Sequence, residues 1–201
     1  MSPDEFLCAS RVLMVAGKGG VGKTTVSMAL ALLALEHGLR PLLVTVERSG
    51  IDPGRLLPEG VFRSVTPDGA LAEYLADHGL GRVSKRLAAS GAIDVIATAA
   101  PGIRDLLVLG KVKQLERAGD HDLVVVDAPA AGHALSFLAA PATLHDLVRS
   151  GPVRSQADDV LELLADPRRC SVLLLTHPEE TSVNEVAETA FYLEDRVGVK
   201  L

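Results

Sequence analysis

The run Gly17-Lys-Gly-Gly-Val-Gly-Lys-Thr-Thr25 constrains this chain more than any other stretch. It satisfies G-x-x-x-x-G-K-[ST], and the apolar run Arg11-Val-Leu-Met-Val15 stands directly before it. Such a loop works only between a buried strand and the first turn of a helix. Glycines then let successive backbone N–H groups point inward, and the helix adds free amides and the positive end of its dipole. Residues 23–37 supply the helix, with apolar Val26, Leu30, Leu33 and Ala34, and Gly38 and Pro41 end it. A second apolar run follows at 41–46. Strand, loop, helix and strand make a βαβ unit with a right-handed crossover.

The remaining chain continues the alternation. A loop-rich segment, 51–69, carries one short strand at 61–65. Residues 70–100 read as helical pieces broken at Gly79–Gly81 and Gly91, and 103–117 as a helix. Strands are expected at 122–127 and 171–176, helices within 134–164 interrupted at Pro141 and Gly151-Pro152, and a helix at 179–196. Residues 197–201 look like the start of a further strand. The expected fold class is α/β, a doubly wound, mostly parallel sheet flanked by helices, with its C-terminal edge shortened. One domain is expected over 1–201, with room for a small helical cap within 70–118 and 134–165.

Composition narrows the partners. The chain is 48% hydrophobic but only 3% aromatic, so its core is aliphatic. A net charge of −6 invites neither nucleic acid nor an acidic membrane surface. No apolar run is long enough to cross a bilayer, so no stable membrane insertion is expected. The opening MSPDEFLCAS lacks the basic and apolar regions of a signal peptide, and a cytoplasmic location is expected. Cys8 and Cys170 are far apart and suggest neither a disulfide framework nor a cysteine zinc site. His121, His133 and His145 lack metal-ligand spacing. Lys111, Lys113 and Arg117 form a small basic helical patch, read as a solvated face or a contact near a partner.

The loop assigns roles by chemistry. Backbone amides of Gly17, Lys18, Gly19, Gly20, Val21 and Gly22 line the phosphate cradle, and Lys23 pairs with the β- and γ-phosphates. Thr24 is expected to ligate Mg²⁺, and Thr25 can donate to the α-phosphate. Asp127, ending the strand Leu123-Val-Val-Val-Asp127, is the candidate for the acidic residue expected to organise the magnesium shell.

A lysine directly after the first glycine, as in GKGGVGKTT, resembles the deviant Walker A loop of the SIMIBI ATPases. The stretch Asp127-Ala-Pro-Ala-Ala-Gly132-His133-Ala-Leu135 resembles the switch II motif D-T-A-P-T-G-H-x-L of the arsenite-pump and tail-anchored-protein-targeting ATPases. Leu174-Leu-Thr-His-Pro178-Glu179 is similar to their strand followed by a Pro-Glu helix start. Segments 100–106 and 150–158 look like those of actinobacterial members, some of which work as paired subunits. The resemblance implies ATP and Mg²⁺ as cofactors, hydrolysis, and a homodimer or a heterodimer with a homologous subunit. It also implies a protein client and an open–closed cycle. Lys18 would reach across the dimer to the partner's nucleotide, and the Gly132 N–H would sense the γ-phosphate.

Departures from the family pattern matter as well. Ala128 and Ala131 replace the two switch II threonines. In switch I, Glu47 falls where the family has a water-positioning Asp, and Asp52 is the competing candidate. Only Met1, Met14 and Met28 are present, not the Met-rich insertion of the targeting enzymes, and the cysteine clusters of arsenite and iron–sulfur members are missing. Family members usually continue through a further strand with an Asn that contacts adenine, whereas this sequence stops at Leu201; either it is truncated or that edge is reduced, and ATP over GTP is implied by the resemblance alone. Three readings therefore stand: a dimeric ATPase, a nucleotide-dependent regulatory subunit with little turnover, and a Par- or Min-like positioning ATPase.

Overall fold

Alternation along the central strands sorts the core into two faces. In the strand β1 (Val12–Gly17), Val12, Met14 and Ala16 bury into one apolar cluster, and Leu13 and Val15 into another. β4 (Leu123–Asp127) repeats this, with Val124 and Val126 on the first face and Leu123 and Val125 on the second. Strands buried on both faces belong to the centre of a parallel sheet. The structure, a computed structural model, describes residues 2–46, 50–77, 102–129 and 131–201, with side chains for all of these except 131–134.

Among these residues five strands form one parallel sheet: β1, β2 (Pro41–Thr45), β3 (Phe62–Ser64), β4 and β5 (Cys170–Leu175). Their order is β3-β2-β4-β1-β5. The helix α2 (Lys23–Glu36) covers the second face through Ala31 and Ala34, with Leu7 of α1 (Pro3–Leu7) beside it. On the first face lie α4 (Ile103–Ala118), α5 (Ala131–Leu147) and α6 (Pro152–Ala165), preceded in the chain by α3 (Pro67–Asp77) and followed by α7 (Glu180–Arg196). The doubly wound expectation is met, and the short strand near 61–65 is the sheet's β3 edge. No helix among the described residues is long and apolar enough to cross a membrane.

Several local expectations change. The sequence places a break at Pro141, but α5 runs through it. Proline there forfeits one backbone bond, to the Phe137 carbonyl, at about 3 kcal/mol. Phe137, Leu138 and Leu144 are fully or almost fully buried on the same helix, and each burial contributes roughly 1.5–3 kcal/mol, which outweighs that loss. Residues 197–201 form no strand; Val197 and Val199 are buried, and the Val172 N–H donates to the Lys200 carbonyl at 3.0 Å. The opening residues fold as α1, started by a capping box: Glu5 N–H donates to Ser2 Oγ at 3.2 Å and Ser2 N–H to Glu5 Oε2 at 2.7 Å. The glycine breaks at 79–81 and 91 lie outside the described residues.

The lysines of the basic patch join helices. Lys113 is buried and pairs with Asp159 of α6, and Lys111 pairs with Glu73 of α3. Burial raises the Glu73 carboxyl, but hydrogen bonds and charge from Lys111 and Arg63 outweigh this and leave it below its ordinary range. Buried Glu116 of α4 takes a 2.8 Å hydrogen bond from Arg169, just before β5. At the start of the sheet, Arg40 forks onto Asp122 at 2.7 and 3.0 Å, tying β2 to β4.

Candidate phosphate-binding site

Chain direction creates the site. From β1 the chain crosses to β2 on one side; from β4, which neighbours β1, it crosses to β5 on the other. Adjacent strands whose connections run in opposite directions leave a crevice at their carboxyl ends, where open α/β sheets bind ligands. Both β1 and β4 end there. The register sets Val15 beside Asp127, and Thr45 of β2 beside Asp127 on its other flank.

The loop from Gly17 to Gly22 fills this crevice. Gly17 is tied to β5, where a Cβ would sit 2.3 Å from the Leu175 carbonyl oxygen, so only glycine permits this approach. Gly20 and Gly22 adopt φ of +84° and +89°, the left-handed conformation that lets the backbone curl. Gly22 is also the N-cap of α2 and offers no capping side chain, which leaves first-turn amides for a ligand. The sequence-derived cradle of Gly17, Lys18, Gly19, Gly20, Val21 and Gly22 is thus one continuous turn opening onto Lys23, Thr24 and exposed Thr25.

Side chains complete the arrangement. The Thr24 hydroxyl donates to Asp127 Oδ2 at 2.6 Å, joining the first turn of α2 to the end of β4. Asp127 is only 6% exposed. Lys23 Nζ donates to the Lys18 carbonyl at 3.1 Å and so arches over its own loop. Lys18 turns the other way, and its ammonium pairs with Glu185 on α7.

The switch residues are placed less completely. Glu47 lies outside the described residues, and Gly132 falls in the first turn of α5. Asp52 accepts from the Gly54 N–H at 3.1 Å and pairs with Arg55 at 3.3 Å, so its carboxylate caps a short 3-10 turn at Pro53–Arg55. Ala128 is buried and provides no hydroxyl, and its N–H donates to the Val15 carbonyl at 3.1 Å. Glu185 had no motif to single it out. Its only sequence signal is its place on the helix after Thr176-His-Pro178.

The family model described as anion-transporting ATPase matches residues 10–53 and 72–152, well over half the chain and including the loop and Asp127. The ATPase BagA of Mycobacterium tuberculosis is 32% identical over 206 positions, covering 90% of this chain and 60% of that protein. The arsenical pump-driving ATPase of Escherichia coli is 29% identical over 94% of this chain and 33% of its own length. A putative arsenical pump-driving ATPase of Halobacterium salinarum is 27% identical over 95% of the chain and 34% of its own. This chain thus spans from about a third to 60% of the length of these relatives. With the loop, the β4 aspartate and the doubly wound sheet in their expected places, the chain belongs to the anion-transporting ATPase family.

Proposed function

We propose that the chain binds Mg-ATP in this crevice as one half of a dimer and hydrolyses it, coupling nucleotide state to an open–closed cycle. The observation that carries the reading is the 2.6 Å bond between the Thr24 hydroxyl and buried Asp127 at the mouth of the glycine loop. A hydroxyl and a carboxylate oxygen held together suit a hard cation, so these two residues fit magnesium. Magnesium held by Thr24 and Asp127 would supply positive charge to offset that of the phosphates. Loop amides hold the phosphates, and Lys23 leaves the Lys18 carbonyl for the β- and γ-oxygens. Lys18 acts in trans on the partner's nucleotide, Glu47 orients water, and the Gly132 N–H reads the γ-phosphate. ATP drives closure only by binding the closed dimer better than the open one. The dimer is homo- or heterotypic and serves a protein client. The arsenical role in the relatives' names gains no support from the thiols: Cys8 is exposed, Cys170 is buried, and neither belongs to a metal-holding cluster among the described residues.

Phosphate release by the purified chain, with and without Mg²⁺, tests this reading. Lys23→Ala and Asp127→Asn are each expected to lower release by about 10²–10³-fold, the usual loss when an electrostatic contact to transferring phosphate is removed. Wild-type turnover no faster than these variants would leave no hydrolase. Buried Ala128 favours a second reading, a nucleotide-dependent regulatory subunit with little turnover of its own. Nucleotide binding without release supports that reading, and robust release by the chain alone defeats it.

A further inference from the structure

Lys18 carries a charge intended for a neighbouring subunit, yet within this chain it already has a partner. Its ammonium pairs with the Glu185 carboxylate on α7. The two side chains are 51% and 43% exposed, so water screens the pair and either member can leave it. Both line a cavity of about 450 Å³ with Leu135, Leu138, Leu174 and Leu193, between the loop, α5, β5 and α7. That space lets the lysine stem change direction without displacing the packed core. Glu188, one turn further along α7, lines the same cavity but is not the residue that holds Lys18.

We propose that Glu185 is a positioning residue for Lys18. It holds the ammonium on its own subunit while the loop is empty and yields it to the partner's phosphate when the dimer closes. This rests on the reading of Lys18 as acting in trans. The exchange replaces one carboxylate by a more highly charged phosphate chain, so closure is favoured only where nucleotide is bound. An empty dimer gains nothing by breaking the pair. Glu185 therefore raises the nucleotide concentration needed for closure, and it does so through Lys18.

Mass measurement across a titration with a slowly hydrolysed ATP analogue and Mg²⁺ tests this. Glu185→Gln is expected to lower the midpoint for dimerisation by about two- to five-fold per site, the strength of a half-exposed ion pair. Glu185→Asp, charged but shorter, is expected between the two. Glu188→Gln makes the same charge change on the same helix and is expected to leave the midpoint unmoved. In a Lys18→Ala background Glu185→Gln is expected to have no effect. A Glu185→Gln midpoint equal to the wild type, an equal shift from Glu188→Gln, or a shift that survives Lys18→Ala overturns the positioning role. A wild-type chain that stays monomeric at saturating analogue overturns the trans reading itself, and the positioning role with it.

Discussion

The junction of β1 with β4 and the edge where β5 meets α7 hold the two lysines of one loop in different ways. At the junction Lys23 leans on its own loop backbone, beside an aspartate buried between three strands. At the edge Lys18 depends on one half-exposed ion pair. The junction is packed on both faces of the sheet, which resists displacement. The edge is built from screened charge, which a ligand can outbid by a few-fold preference. The proposed phosphate site sits at the first. The lysine proposed to change partners sits at the second.

Two phenylalanines measure that difference most directly. Phe137 of α5 is fully buried in the first face, and Phe191 of α7 is 74% exposed. Phe137→Ala is expected to destabilise by about 3–5 kcal/mol. Phe191→Ala is expected to stay within about 0.5 kcal/mol. Urea unfolding of both variants checks the pair. Equal losses would break the contrast, because α7 would then be as firmly packed as α5.

Where the sequence was legible follows the same division. Residues 11–46 could be read because glycine and proline punctuate them and their apolar runs have one partner, the sheet. Asp127 could be read because a strand end beside the loop is the only place the chemistry allows. Pro141 misled because its local cost is visible in sequence, whereas the burial of Phe137 and Leu144 that offsets it is tertiary. The reverse holds for α1, whose start signal, Ser2 with Glu5 three residues on, is local and visible in the sequence. Lys111 and Lys113 looked like a surface patch because Glu73 and Asp159 lie on other helices. Glu185 is far from Lys18 along the chain, and no spacing rule joins them.

Between the extremes stands Gly17, where loop and edge meet. Alanine there places a Cβ 2.3 Å from the Leu175 carbonyl at a φ of +153°. Separation of β1 from β5 by a fraction of an ångström relieves the clash at a cost of about 1–3 kcal/mol. Because the shift acts on the first residue of the cradle, nucleotide affinity is expected to fall more than stability alone explains. Thermal unfolding of Gly17→Ala with and without Mg-ATP separates the two effects. Wild-type stabilisation by nucleotide in the variant would show that the loop tolerates movement of its edge.

The smallest effect belongs to the opposite end of the junction, at the amino ends of β2 and β4. Hydrogen bonds from the Arg40 side chain and backbone hold the Asp122 carboxyl at about 2, against an ordinary value of 3.8. A carboxyl lowered in the folded state stabilises fully above its unfolded pKa, and the contribution is lost as pH falls through the folded value. The window is therefore from about pH 4 down to about pH 2. Arg40 and Asp122 are both well exposed, so solvent and salt screen the pair and its contribution is small. Arg40→Ala should lower the neutral plateau slightly, and its difference from the wild type should fade as pH falls through this window, which flattens the acid limb. Denaturant midpoints for both proteins at matched pH, repeated at high salt, read the difference. If Arg40→Ala lowers stability equally at pH 7 and pH 3, the guanidinium acts on the strand ends through packing, and the amino end of the sheet is as rigid as the phosphate end.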